Sequence, residues 1–131
     1  MQSNINTKST SPLTQADLFL ARKEVLSIHL GENLERYLIE IILATREPQR
    51  YGQQLKNWLQ WGASPRATIA LDRCARAHAW LAGRDFVAPE DIQALAYDVL
   101  RHRILLTYEA EAEGISTDNF IETLLRLIAV P

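Results

Sequence analysis

The segment that begins at Leu34 constrains the fold most, because its apolar residues repeat with the period of an α-helix. The repeating positions are Leu34, Tyr37, Leu38, Ile41, Ile42 and Thr45. They lie on one side of a helix that Arg46 and Pro48 end. Such a stripe must be buried against other elements, so we expect this helix to pack among further helices.

Four other segments carry helix signals. Thr14 and Asp17 resemble a capping box, and Leu18, Ala21, Val25 and Ile28 follow at helical spacing. The other three predicted starts are Ser64-Pro65 for a helix that runs to Gly83, Pro89 for a fourth helix, and Ser116 or Thr117 for the last. No stretch alternates as a strand would. The sequence therefore predicts an all-α fold, a small bundle of about five helices.

The predicted third helix has a face of small and apolar residues. Its members are Ala67, Ala70, Leu71, Cys74, Ala77, His78 and Leu81. We expect His78 to be a core histidine and Cys74 to pack as a small apolar group. Residues 47–62 are predicted to form a connector with one short helical turn, and residues 107–114 to form a solvated turn.

Composition bounds the class of protein. A chain of 131 residues that is 47% hydrophobic can bury one domain core. Residues 1–13 are polar and predict a flexible leader, which leaves 14–131 as the domain. A net charge of −2 argues against nucleic acid as a partner, and the lack of a long apolar run excludes a membrane span. With one cysteine and no signal peptide, we expect a cytoplasmic protein.

The residues that could hold a metal are not spaced as ligands. His29, His78 and His102 share no metal spacing with Cys74. Glu109, Glu111 and Glu113 are two apart, which on a helix does not bring them to one ion. We predict no metal site, and no nucleophile with a neighbouring base supports an independent enzyme.

The segment from Gly62 to Ala67 holds the best candidate site. It places Arg66 in the first turn of a helix that Ser64 is predicted to cap. Helix N-termini attract phosphate through unpaired N–H groups, and a guanidinium matches phosphate oxygens. A solvated surface arginine is the alternative interpretation of this local pattern.

Several motifs in order extend this candidate site. They are Gly62-Ala63-Ser64-Pro65-Arg66-Ala67, Leu81-Ala82-Gly83-Arg84-Asp85-Phe86-Val87, Pro89-Glu90-Asp91-Ile92, Val99-Leu100-Arg101-His102-Arg103, and Tyr108-Glu109-Ala110 with Gly114; Thr45-Arg46 also fits. Together they resemble the C-terminal lid, or sensor-2, domain of MoxR-type AAA+ ATPases over residues 14–131. Ala88 departs from the family, which often has a capping Ser or Thr there, so the start of the fourth helix is less well defined.

The resemblance implies a nucleotide-sensing lid that acts with a P-loop domain. Arg66 would be the catalytic sensor-2 arginine, and Ser64, Arg66, Arg101 and Arg103 would contact ATP, which with Mg is bound mainly by the P-loop domain. This sequence has no P-loop motif, so we do not expect the chain alone to hydrolyse ATP. The family further implies hexameric rings, von Willebrand A-domain partners, and chaperone-like remodelling or metalloenzyme assembly.

Two alternatives stay open. The chain could be a free-standing helical module that binds protein or nucleic acid, the latter through Arg66, Arg73 and Arg76. The Arg101-His102-Arg103 cluster could contact phosphate or a neighbouring subunit, or pair with the acids at 109, 111 and 113.

Overall fold

The computed structural model describes residues 14–131, so the predicted leader lies outside the described residues. The helices are α1 (Gln15–Leu26), α2 (Glu32–Arg46), α3 (Gln53–Trp58), α4 (Arg66–Leu81), α5 (Pro89–Leu100), α6 (Tyr108–Ala112) and α7 (Thr117–Leu127). A 3₁₀ turn spans Pro48–Tyr51, and two short strands are β1 (Leu59–Trp61) and β2 (Leu105–Leu106). The all-α class is confirmed. The prediction of a small helical bundle is also confirmed, and residues 14–131 form seven helices and one small two-stranded sheet where the sequence predicted about five helices.

The stripe of α2 and the inner face of α7 lie in the core as predicted. On α2, Tyr37, Leu38, Ile41, Ile42, Ala44 and Thr45 are buried. On α7, Phe120, Ile121 and Leu124 are buried, and Ile128 follows them into the core. The two helices also contact each other, so two segments far apart in sequence share one apolar core.

The buried face of α4 differs from the predicted one and shares only Ala67 and Leu71 with it. Ala67, Leu71, Ala75 and Ala79 are fully buried, four residues apart along one row. Three of them are alanine, which lets α5 approach closely. Leu81, predicted to lie on this face, is 78% exposed because the helix ends there. Cys74 is half-buried and packs beside the core.

The connector after α2 is more ordered than predicted. Its chain forms the 3₁₀ turn, α3 and then β1, which pairs antiparallel with β2. Thr107 ties the sheet to α3, since its N–H donates to the Trp58 carbonyl at 2.8 Å and its hydroxyl donates to the Asn57 carbonyl at 2.8 Å. The same hydroxyl accepts from the N–H of Ala110 and caps α6. The segment predicted as a turn is therefore a short helix.

Side-chain caps fix the start of two other helices. Thr14 and Asp17 form the predicted capping box of α1, and Ser116 forms one with Asn119 at α7. Ala88 cannot cap with its side chain, but its N–H donates to the Asp91 carboxylate at 2.7 Å. This contact sets the start of α5 that the sequence left undefined.

The outer side of α4 contacts α1. Arg76 donates to the carbonyls of Leu26 and Ile28, and Trp80 Nε1 donates to Glu24 at 3.1 Å. Within residues 14–131 no helix is long and apolar enough to cross a membrane. No group of three or more potential ligands in the same residues could hold a metal ion.

Candidate functional site

The chain crosses the C-terminal end of α2 immediately before α4. Gly62 lies so close to α2 that an added Cβ would stand 1.9 Å from the carbonyl oxygen of Thr45. Ala63 N–H donates to the Thr45 hydroxyl at 3.1 Å, and this hydroxyl donates to the Ile42 carbonyl at 2.7 Å. Arg46 donates to the Ala63 carbonyl at 3.0 Å. These contacts, which we call the α2 clamp, fix the position from which α4 begins.

Ser64 does not cap α4 as the sequence predicted. Pro65 is the N-cap residue and already has helical backbone angles, and no side chain caps the helix. The Ser64 and Pro65 carbonyls accept from the N–H groups of Ala67 and Thr68 at 2.9 and 3.0 Å. The Ala67 N–H, one of the two amides that a Ser64 cap could serve, is thus already bonded to a backbone carbonyl, and Ser64 is exposed.

Arg66 stands exposed in the first turn of α4. Its guanidinium forms no ion pair or hydrogen bond with any residue from 14 to 131. Its backbone N–H also has no acceptor within that range. The site therefore combines a free guanidinium, a free amide and a free hydroxyl at one helix end, as an oxyanion requires.

A cavity of about 240 Å³ lies next to this helix start. It is lined by Arg46, Gln60, Trp61 and Gly62, and Trp61 is 70% exposed. The sequence pattern indicated neither the exposure of Trp61 nor the role of Arg46 in the α2 clamp. Trp61 lies in β1, and strands of three and two residues carry no usable pattern, while Arg46 meets a carbonyl 17 residues further along the chain.

Arg101 and Arg103 both donate hydrogen bonds to other residues of the same chain. Arg101 donates to Asp118 at 2.9 and 3.2 Å and to Asp98 at 3.1 Å. The hydrogen bond to Asp118 raises the pKa of Arg101. Arg103 donates to the Val99 carbonyl at 2.9 Å. Arg101 does pair with acids, but with partners other than the glutamates that the sequence suggested.

Besides Arg66, α4 carries Arg73 and Arg76, and the guanidinium of Arg76 is bonded within the chain. It pairs with Asp72 at 2.5 Å and donates to two carbonyls at the end of α1. Its role is to join α1 to α4. Arg73 instead lines a cavity with Arg22 of α1. The predicted nucleic-acid face of three arginines therefore lacks one member.

His78 is exposed and contacts Asp91, so its prediction as a core histidine is wrong. Asp91 is fully buried and accepts two hydrogen bonds from Arg84, at 2.6 and 2.8 Å. Burial alone would raise the pKa of Asp91, but hydrogen bonds from Arg84, the Ala88 N–H and His78 outweigh burial and hold that pKa well below its usual range. This cluster joins the end of α4 to the start of α5.

Comparisons with known proteins agree with this geometry. The AAA lid domain family model matches residues 56–124. Chaperone MoxR1 of Mycobacterium tuberculosis is 37% identical over 120 residues, which are 91% of this chain and 32% of that protein. Protein MoxR of Paracoccus denitrificans is 36% identical over 79% of this chain and 32% of its own length.

A solved structure is also similar. The crystal structure of a candidate ATPase from Cytophaga hutchinsonii superposes with a TM-score of 0.83 at 48% identity, over 88% of this chain and 36% of that one. The chain thus spans about a third of the length of the proteins that it matches. It belongs to the AAA lid domain family and is a lid of the MoxR type.

Proposed function

We propose that this chain is the nucleotide-sensing lid of a MoxR-type AAA+ ATPase, and that Arg66 contacts the γ-phosphate of ATP held on a P-loop domain. The observation that carries the proposal is the state of Arg66. It is exposed and unpaired within residues 14–131, at a helix start that the α2 clamp fixes. A guanidinium held in place without an internal partner is suited to an external oxyanion.

The residues present fit a phosphate better than a metal. The exposed Ser64 hydroxyl, the Arg66 N–H and the Arg66 guanidinium all belong to the start of α4, and all three can donate hydrogen bonds. No carboxylate occurs between Gly62 and Leu71. The Mg that accompanies ATP would therefore take its protein ligands from the P-loop domain.

Arg66 would act by differential binding. A charge-assisted hydrogen bond to the terminal phosphate favours the lid orientation in which that contact forms. When the phosphate is lost, this preference disappears and the lid rotates as a rigid body. The α2 clamp carries the motion into the core, because Thr45 and Ala63 are both fully buried.

The resemblance to MoxR-type lids predicts that Arg101 or Arg103 also contacts nucleotide, and this stays a prediction. For Arg101, a phosphate would compete with the carboxylates of Asp118 and Asp98. Arg103 is exposed and gives one donor to a carbonyl, and its other donors have no partner among residues 14–131, so they could bind a phosphate. Of the two, Arg103 is the better second contact.

We infer the activity of the intact protein from its relatives. One relative is named a chaperone, and chaperone-like remodelling or metalloenzyme assembly is the activity that we propose. The proposed setting is a hexameric ring in the cytoplasm, with von Willebrand A-domain proteins as partners. Sensing by Arg66 would couple ATP hydrolysis to that remodelling.

The test is binding of a labelled ATP analogue to the separate P-loop domain of a MoxR relative, with and without this chain. We expect the native chain to tighten binding, and Arg66→Ala to lose about 1.5–3 kcal/mol of that effect. Arg36→Ala is the matched control, because Arg36 is an exposed arginine on α2, outside the site. If Arg66→Ala and the native chain tighten binding equally while both fold, Arg66 is not the sensor.

A further inference from the structure

Helices α1 and α4 meet at a cavity that two arginines line. The cavity measures about 460 Å³, and its lining residues are Arg22, Val25, Leu26 and Arg73. Arg22 lies on α1 and Arg73 on α4, so the packing of these two helices brings both side chains to one place. Val25 and Leu26 give the same cavity an apolar part. The cavity therefore combines two cationic side chains with aliphatic ones.

Neither arginine of this cavity has a carboxylate partner. No ion pair joins Arg22 or Arg73 to a residue between 14 and 131, and residues 1–13 contain no Asp or Glu. Positions three and four residues from each arginine on its helix hold no acid. By contrast, Arg76 lies one turn after Arg73 and pairs with Asp72. The cavity thus holds two positive charges without an ion-pair partner among the described residues, and it favours an anion.

A carboxylate suits this pair of arginines. Each guanidinium donates hydrogen bonds in a fixed plane, and a carboxylate has two oxygens that both accept. One carboxylate can therefore accept from Arg22 through one oxygen and from Arg73 through the other. The aliphatic part of a glutamate side chain would then lie against Val25 and Leu26. Such a contact would also relieve the repulsion between the two cations.

The surroundings of the two arginines indicate a protein ligand. Leu18, Phe19 and Ile69 are 56%, 60% and 56% exposed, and α1 has no buried residue. Leu18 and Phe19 lie one turn before Arg22, and Ile69 lies one turn before Arg73, spacings that make them neighbours of the arginines on the helix surface. A small anion would leave these side chains in water, whereas a protein surface would cover them.

We propose that the cavity and these neighbouring side chains, which we call the α1–α4 face, bind an acidic segment of another protein. In that segment one or two carboxylates stand beside large apolar side chains. The carboxylates pair with Arg22 and Arg73 and select the partner by charge, while the apolar side chains cover the exposed residues of the face. Arg66 does not line the cavity, so this inference does not rest on nucleotide sensing.

A nucleic acid fits the α1–α4 face less well. Nucleic-acid binding depends on several phosphate contacts, and Arg76, the arginine next along α4, is already paired with Asp72. A phosphate backbone would also leave Leu18, Phe19 and Ile69 without an apolar partner. The net charge of the chain, −2, opposes a polyanion further. A peptide with both carboxylates and apolar side chains matches every part of the face.

The experiment measures binding of a fluorescein-labelled peptide, Gly-Ser-Leu-Glu-Glu-Phe-Ser-Gly, to the 131-residue chain by fluorescence anisotropy. We expect weak, saturable binding that added salt reduces. A second peptide carries glutamine in place of both glutamates, and a third carries serine in place of leucine and phenylalanine. Each should bind roughly tenfold more weakly or worse, because one lacks the charges and the other lacks the apolar contacts.

Variants of the chain locate the binding. Arg22→Gln/Arg73→Gln should weaken binding of the acidic peptide by roughly tenfold or more. The control Arg36→Gln/Arg126→Gln removes the same net charge at exposed positions on α2 and α7, and it should bind as the native chain does. Circular dichroism shows whether both variants fold.

The apolar part of the face has its own variant. Leu18→Ser/Ile69→Ser should weaken binding of the acidic peptide several-fold, while its effect on the serine peptide should be small, because that peptide has no apolar side chain to lose. A merely structural effect of the variant would weaken both peptides alike, and that result would contradict apolar contact at the face.

The proposal is overturned if the acidic peptide does not bind, or if the glutamine peptide or the Arg22→Gln/Arg73→Gln variant gives the native affinity. Equal binding of the serine peptide would make the cavity a site for a small anion. Tighter binding of an RNA oligonucleotide, lost in Arg22→Gln/Arg73→Gln, would replace the protein partner by a nucleic acid. Displacement of the peptide by the separate P-loop domain of a MoxR relative would overturn the proposal too, since the face would then be a contact between domains.

Discussion

Gly62 is the residue whose size matters most to the candidate site. A methyl group there would meet the backbone of Thr45, which cannot move without shifting the end of α2. We expect Gly62→Ala to lower the free energy of unfolding by about 2 kcal/mol through overpacking. It should also weaken nucleotide sensing, because Arg66 follows in the same segment.

The control for Gly62 is Gly31→Ala. A Cβ at Gly31 would meet only the His29 side chain, at 3.9 Å. The cost there should be roughly 0.5 kcal/mol, since alanine is a poorer N-cap than glycine. Urea unfolding followed by circular dichroism measures both. Equal losses for the two variants would mean that the α2 clamp is looser than described.

Asp91 is the other residue with a marked effect on stability. Asp91→Asn leaves Arg84 without its charged partner, and we expect a loss of about 3 kcal/mol in unfolding free energy. Asp98→Asn is the control, because Asp98 is an exposed aspartate on the same helix, 67% accessible. A loss for Asp91→Asn no larger than for the control would contradict the cluster's role.

The pH dependence of stability follows from the same carboxylate. The pKa of Asp91 is lower in the folded chain than in the unfolded chain. Its contribution is therefore complete above the unfolded pKa, about 4, and is lost as the pH falls below that value. Unfolding free energies measured from pH 7 to pH 3 should fall more steeply for the native chain than for Asp91→Asn. Parallel curves for the two proteins would show that Asp91 does not cause the loss of stability at low pH.

Single residues differ in how well the sequence predicted them. A motif in the sequence predicts a site role for Arg66, and that role stays a prediction, whereas the predicted cap role of Ser64 is wrong. The preference of serine for N-caps is only an average, and here Pro65 takes helical angles and displaces the cap. His78 was misjudged because helical periodicity cannot show that its neighbour across the α4–α5 junction is a buried aspartate.

The helix caps provide a test of the individual helices, because two serines near helix starts differ in whether they cap. The Ser116 hydroxyl accepts from the Asn119 N–H at 3.0 Å, whereas Ser64 makes no such bond. Ser116→Ala should therefore cost about 1 kcal/mol of unfolding free energy, and Ser64→Ala close to none. Thermal or urea unfolding of the pair checks this. A comparable loss at Ser64 would restore it as the cap of α4.

The longer elements were predictable and the short ones were not. Helices α2 and α7 carry full apolar stripes, so their burial could be read from spacing alone. Helices α3 and α6 have six and five residues, too few for a period to repeat. The strands exist because Leu59 pairs with Leu106, and this contact between distant segments leaves no local signal.

For the whole molecule, the family resemblance in the sequence and the observed fold both assign the chain to the AAA lid domain family. The core joins α2, α4, α5 and α7, and the family model covers the residues from α3 into α7. What the sequence could not show is which charged groups remain unsatisfied after folding. That depends on every ion pair and hydrogen bond among residues 14–131, which leave the Arg66 side chain without a partner in that range and occupy those of Arg76 and Arg101.

The most direct test of nucleotide sensing is the ratio of ATP-analogue affinity to ADP affinity. It should be measured on the P-loop domain of a MoxR relative in the presence of this chain. With the native chain we expect the ratio to rise by roughly tenfold or more, since only the analogue carries the phosphate that we propose Arg66 contacts. With Arg66→Ala the ratio should return to that of the P-loop domain alone. A ratio that the native chain leaves unchanged, or that Arg66→Ala preserves, would contradict the account.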